Sequence, residues 1–346
     1  MATLTETASL ARRLIKFGAI LFIGLIFFRV SYQAFTAWWK ATHPSPPPPP
    51  TVAFQTLARP QFPASPQGEL NFILELPTVD FPPFPDRGSV FLMPYKKASF
   101  GAWDEAIAQA AALGFSNKPQ QLSEEVYRWQ KQSPITSTLE LNIVDGSFEY
   151  NYNWQEDQTL LDSKQVSQEQ AAISEAKSFL NRAKRLDEDL VQAETKVTYF
   201  KVAGTKLLPA MSFSESDFVK VDFFRAKIDQ LPVMTPDPAR GIISVLMSGA
   251  SDRRFLKVTN NYYPVSYSVS ATYPIKSATA AWEDLRLGKG YLAHVPDNQT
   301  NIVVRRVYLG FYDNFSPQPY LQPIYIFAGD NDFVGYVPAI IDSWYQ

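Results

Sequence analysis

The residue types that most often do chemistry are scarce in this chain. It has two histidines, His43 and His294, and no cysteine. A hydrolytic triad needs an imidazole beside a nucleophile, and His294 has no Gly-x-Ser-x-Gly elbow to serve. Without cysteine there is no thiol nucleophile, thiolate metal site or disulfide, and two histidines are too few for a histidine-based metal centre. Gly329-Asp330-Asn331-Asp332 resembles the start of a calcium loop, but the later spaced ligands and the terminal glutamate are missing, so a β-turn is expected there. No Gly-rich loop precedes a helix to cradle a phosphate. Paired acids remain, at Asp104/Glu105 and Glu283/Asp284. Neighbours on a helix point in different directions, so these read as solvated faces and not as the opposed carboxylates of a glycosidase. The sequence thus offers no catalytic residue, no metal ligand set and no cofactor site.

Binding is the chemistry left. Aromatic residues make up 14% of the chain, and tyrosines fall on segments that read as strands. Tyr150 and Tyr152, with Ser266, Ser268 and Ser270, form the candidate binding surface. Aromatic faces stack on sugars and peptides, and flat sheet edges accept an added strand. The competing reading is that these tyrosines simply bridge core and water.

The elements that must carry such a surface begin with an apolar run. Residues 17–39 read as a transmembrane helix, since a hydrocarbon layer about 30 Å thick takes roughly 20 apolar residues. Phe17, Leu21 and Phe28 mark its apolar body, Arg29 lies inside it, and Trp38 and Trp39 suit the outer headgroup belt. Arg12, Arg13 and Lys16 precede it, which places residues 1–16 in the cytoplasm and the rest outside. Residues 40–68 read as a proline-rich linker, its five consecutive prolines (Pro46 to Pro50) favouring an extended, semi-rigid spacer. The expectation is a single-pass protein of the cell membrane with an extracytoplasmic body. Net charge −2 and 46% hydrophobic residues, with mean hydropathy −0.16, fit a folded body on one apolar span and argue against nucleic acid as a partner. A disulfide-free exported protein suits a bacterial envelope.

Three α+β units are expected beyond the linker, at 69–160, 161–272 and 273–346. In the first, Ser99 caps a helix with Trp103, Ala106, Ile107 and Ala110 on one face, stopped at Leu113-Gly114. Leu139 to Val144, Asp145-Gly146 and Ser147 to Tyr152 read as a hairpin with a type I′ turn. In the second, Ser167 and Gln170 form a capping-box pattern ahead of a helix bearing Ala172, Ala176, Phe179, Leu180 and Ala183. Val265 to Tyr273 alternates strictly, with Val, Tyr and Ala on the packed face and serines on the wet one. Ala102-Trp-Asp-Glu-Ala106 and Ala281-Trp-Glu-Asp-Leu285 echo one another, and each helix ends at Leu-Gly, which reads as internal duplication.

A helix followed by a meander of strands, repeated beyond a single anchor, resembles the PepSY-like domains and the YycH/YycI-type regulatory proteins. The resemblance rests on Tyr273-Pro-Ile-Lys-Ser-Ala-Thr-Ala-Ala-Trp-Glu-Asp-Leu-Arg-Leu-Gly288, Val304 to Tyr312, Leu321-Gln-Pro-Ile-Tyr-Ile-Phe327 and Phe333-Val-Gly-Tyr-Val-Pro338. It implies a fold of two or three repeated helix-and-antiparallel-sheet units behind one transmembrane helix. It also implies a regulatory role towards an envelope protein such as a sensor kinase, a protease or a transport machine. The sequence reading is therefore a non-catalytic, membrane-anchored binding or regulatory module. The alternatives are a surface protein that binds cell-wall glycan or peptide and, third, an envelope hydrolase.

Overall fold

The computed structural model describes residues 17–18, 21–22, 24–36, 38–39, 49–64, 70–78, 80–95, 99–132, 135–157, 159–162, 166–192 and 194–346. The chain divides into two compact units, Met1–Pro49 and Pro50–Gln346. In the first, residues 24–36 are helical and almost entirely exposed, Arg29 included. Among the described residues no helix is long and apolar enough to cross a membrane. The expected single-pass anchor, for which Phe17, Leu21, Phe28, Arg29, Trp38 and Trp39 stood as landmarks, is corrected, and with it the cell-membrane localisation. Residues 1–16 and most of the proline run lie outside the described residues.

The second unit is mostly β-structure: among the described residues, 17 strands form two sheets. The eight-stranded sheet contains β1 (Asn71–Leu74), β2 (Arg87–Leu92), β10 (Val233–Met234), β13 (Ser266–Pro274), β14 (Tyr291–His294), β15 (Asn301–Tyr312), β16 (Tyr320–Gly329) and β17 (Val334–Pro338). Its spine runs β1-β15-β16-β17-β14, with β10 on β15 and β13 joined to β16 through β2. The nine-stranded sheet contains β3 (Gln120–Gln121), β4 (Val126–Lys131), β5 (Ser137–Asn142), β6 (Phe148–Tyr152), β7 (Glu194–Ala203), β8 (Lys206–Pro209), β9 (Phe218–Phe224), β11 (Ile243–Ser248) and β12 (Phe255–Asn260). It is ordered β3-β4-β5-β6-β12-β11-β9-β7-β8.

This arrangement corrects the expected α+β fold of repeated helix-and-sheet units behind an anchor. The opening strands β1 and β2 do not make a sheet with the strands that follow them. They pair with β15, β13 and β16, which come from the far end of the chain. The Ala-Trp echo does not set a common packing either. Trp282, on helix Ala278–Arg286, is buried under the eight-stranded sheet, whereas Trp103 is 38% exposed and meets only the edge of Tyr127. A short motif fixes helix spacing, but which face turns inward depends on the sheet it meets.

Helices Ala102–Ala112 and Glu169–Arg182 pack in the core of the nine-stranded sheet. Small residues, Ala106, Ala110, Ala172 and Ala176, let the helices approach Trp129, Leu139, Phe148, Val221 and Phe223. Each large side chain buried this way is worth about 1.5–3 kcal/mol. Strand β5 alternates buried and half-buried residues along its length, as a sheet with one packed face requires. Gly146 alone takes a positive φ in the β5–β6 turn, so the connection is not type I′. The Ser167 hydroxyl donates to Glu175 instead of capping, and Gln168 is the N-cap.

One buried arginine bridges the two sheets. Arg225 follows β9, and Asp313 follows β15. Arg225 Nε donates to Asp313 Oδ2 at 2.9 Å, Nη1 to Asp189 Oδ2 at 2.7 Å, and Nη2 to the Tyr263 carbonyl at 2.8 Å. Its guanidinium lies 4.9 Å from the Tyr262 ring centre, and the Tyr262 hydroxyl also donates to Asp189. The Arg225 and Asp313 side chains are each 1% exposed. Burial pushes the Asp313 carboxyl up from its ordinary value, and Arg225 opposes that push.

Removing one partner of such a pair leaves a buried charge unanswered. Arg225→Leu is expected to cost about 3–5 kcal/mol in urea unfolding of the full chain. A loss below about 1 kcal/mol would show that the sheets are held together elsewhere.

Candidate functional site

A groove of about 370 Å³ opens on the nine-stranded sheet, between Gly114, the last turn of helix Glu169–Arg182 and the turn joining β11 to β12. Its first wall is set by a helix stop. Helix Ala102–Ala112 ends because Gly114 takes φ +86°, and Phe115 N–H then donates back to the Ala110 carbonyl. A residue with a Cβ disfavours that left-handed turn. The reversal drives Phe115 into the core, where it meets the Tyr150 ring edge-on at 6.0 Å.

From there a row of rings runs across the groove. Tyr150 is 6.1 Å from Phe179, and Phe179 is 4.5 Å from Phe255. A cation stands at each end of the row. Lys131 Nζ lies 5.7 Å from the Phe115 ring, and the Arg182 guanidinium lies 5.9 Å from Phe179 and 5.6 Å from Phe255. Ring faces attract cations through their quadrupole, and the carbonyl ends of both helices favour positive charge nearby. Neither Lys131 nor Arg182 has a carboxylate or a hydrogen-bond acceptor among the described residues. The Tyr150 hydroxyl is likewise without a hydrogen-bond partner among them. Burial pushes that phenol up to about 12, so it stays a donor at neutral pH. The groove therefore holds the unused donors of Tyr150 and Arg182 beside aromatic rings, with Lys131 close to Gly114 at its edge.

The other two arginines here are committed. Tyr152, buried among Leu160, Phe218 and Leu256, donates to Asp157 Oδ2 at 2.7 Å. Asp157 in turn accepts from Arg253 Nη1 at 2.7 Å and from Thr159 Oγ1 at 2.9 Å. Arg254 pairs with Glu175 at 3.1 Å and donates to the Ser248 carbonyl at 2.7 Å. These bonds pin the turn that forms the far wall. Burial of Asp157 works against its charge, but hydrogen bonds from Tyr152, Thr159 and Arg253 outweigh it and hold the carboxyl below its ordinary value.

The candidate residues thus fall in two places. Tyr150 lines the groove and Tyr152 braces it, both from β6. Ser266, Ser268 and Ser270 sit on β13 in the other sheet, where Ser266 pairs with Leu92 and Ser270 with Phe91. The three residues between them bulge out, leaving Tyr267 and Val269 exposed, so the strict alternation is not realised there. Lys131, Phe115, Arg182 and Phe255 were not singled out, because they lie far apart in sequence and share no spacing. Elsewhere, His294 Nδ1 is 2.9 Å from the Asp332 carbonyl, and Asp330 pairs with Arg305. Among the described residues no cluster of three or more His, Asp or Glu could hold a metal ion. An apolar cavity of about 200 Å³, with Met93, Tyr95, Tyr263 and Pro319 in its walls, has only Asp145 as an ionisable carboxylate.

No family model matches the chain, and no curated protein does. Among solved structures, an uncharacterized protein from Eubacterium rectale ATCC 33656 is similar at TM-score 0.40 and 11% identity, covering 74% of this chain and 84% of that one.

A carboxyl held below its ordinary value contributes stability above its unfolded-state value and loses it as pH falls through the folded one. Asp157→Asn is therefore expected to flatten the acid limb of stability below about pH 5, read as urea midpoints at stepped pH. An acid limb identical to that of the parent would remove Asp157 from the brace.

Proposed function

We propose that the chain is a non-catalytic binding module that modulates a protein partner, with the groove over Tyr150 as its recognition surface. One observation carries this reading. Tyr150 and Arg182 keep their donors unused beside the rings of Phe179 and Phe255 in a concavity of about 370 Å³, and Lys131 stands over Phe115 at the other end of the ring row. Half-buried polar groups such as the Tyr150 hydroxyl normally find partners within the fold, while the exposed Lys131 and Arg182 are open to solvent and to a ligand. Donors left open over an apolar floor are the usual make-up of a recognition pocket, in which ring faces supply area and a few polar groups supply orientation. Arginine and aromatic residues are also those that most often dominate binding energy at protein interfaces. The absence of a placed nucleophile, base or metal set in the sequence reading agrees with recognition in preference to turnover.

The bracing of Arg253 and Arg254 supports the same reading. A wall fixed by ion pairs to Asp157 and Glu175 keeps its shape when the groove is empty, which lowers the ordering cost of binding.

The test uses the full chain, with a photocrosslinking side chain at Ser251 on the groove wall, expressed in host cells. One dominant protein adduct is expected, reduced at least about tenfold by Arg182→Gln, the loss of a charged hydrogen bond. A variant that folds as the parent does, with the adduct unchanged, would overturn the assignment of the groove. So would an adduct consisting only of carbohydrate.

A further inference from the structure

We infer that the group gripped in the groove is the C-terminal α-carboxylate of a peptide that ends in an aromatic or aliphatic residue. This rests on the groove being the recognition surface, and it goes further by naming the ligand chemistry.

The argument starts from which charges are free. Three arginines line the groove, but Arg253 is used by Asp157 and Asp252, and Arg254 by Glu175. Among the described lining cations Arg182 remains, and Lys131 stands at the opposite end of the ring row. A planar guanidinium presents two parallel N–H groups that match the two oxygens of a carboxylate. The Tyr150 hydroxyl adds one further donor in the middle of the floor. That set suits a singly charged group with two acceptor oxygens better than a phosphate, which brings nearly two charges and three strong acceptors.

Asp252 sharpens the choice. Its carboxylate is on the groove wall, 3.2 Å from Arg253 Nε and largely exposed. A polyanion laid along the groove would meet it, whereas a single carboxylate seated at Arg182 need not. The floor then selects what carries the charge. Tyr150, Phe179 and Phe255 line the groove with their rings, so an apolar or aromatic side chain beside the carboxylate gains area that a hydrophilic one forfeits. The volume holds one or two residues of a peptide, at the small end of the range for ligand pockets.

The experiment is titration calorimetry on the full chain with three probes: N-acetyl-phenylalanine, its neutral amide, and phenyl phosphate. The acid is expected to bind at least about tenfold more tightly than the amide, as a charge-assisted hydrogen bond implies. Arg182→Gln should erase that difference. Tyr150→Phe should reduce it and Lys131→Gln should leave it intact, with unfolding midpoints unchanged. Equal affinity of acid and amide, tighter binding of phenyl phosphate, or no binding of any probe would each overturn the inference. If the Ser251 adduct stays sensitive to Arg182→Gln while acid and amide bind alike, the groove stands as a recognition surface and only the carboxylate assignment falls.

Discussion

A buried guanidinium ties the two sheets of this protein to one another. Arg225 reaches from the end of β9 to Asp313 beyond β15, to Asp189, and to the Tyr263 carbonyl, with the Tyr262 ring on its face. Bringing an arginine and an aspartate out of water costs several kcal/mol per ion, and only close geometry with every N–H answered offsets it. Such a joint tolerates little displacement. A small apolar cluster that includes Phe91, Met93, Val233 and Phe311 lies in the same region and excludes water. Polar closure fixes the relative position of the sheets, and apolar contact makes it dry.

The groove is organised on the opposite principle. At the joint each nitrogen of the arginine has an acceptor, while at the groove Lys131 and Arg182 are held by ring faces and helix carbonyl ends with their N–H groups unused. A cation over a ring is attracted without being saturated. That difference separates a charge that builds the fold from one available to a ligand. The Tyr152–Asp157–Arg253 chain shows the first kind a few residues from Tyr150, which belongs to the second. Two tyrosines on one strand, two positions apart, thus do different work because one ends in the interior and the other at an opening.

The membrane anchor and the repeated units were the readings overturned. Both came from local resemblance, an apolar run in one case and an Ala-Trp echo in the other. Helix Ala102–Ala112 buries Ala102, Ala106, Gln109 and Ala110, which leaves Trp103 and Ile107 towards solvent. The expected face included Trp103 and Ile107 because periodicity reports a stripe without saying where its centre falls. Helix Ala278–Arg286 does bury its tryptophan, since the eight-stranded sheet offers Phe72 and Phe327 to meet it.

What the sequence determined by itself was local. The hairpin read at Leu139 to Tyr152 falls on β5 and β6, Leu113-Gly114 stopped a helix where Gly114 turns left-handed, and the alanines of helix Glu169–Arg182 marked its buried face. These follow from backbone sterics and from periods of two and 3.6, which act between near neighbours. The poverty in histidine and cysteine limited the chemistry, and Tyr150 was visible as a half-buried aromatic on a strand. Only the tertiary structure decided that β1 and β2 pair with strands more than 170 residues away. It alone joined Lys131, Phe115, Tyr150, Phe179, Arg182 and Phe255 into one row. Pairing across such distances depends on which edges and faces remain open after the local elements form, and no spacing along the chain records that.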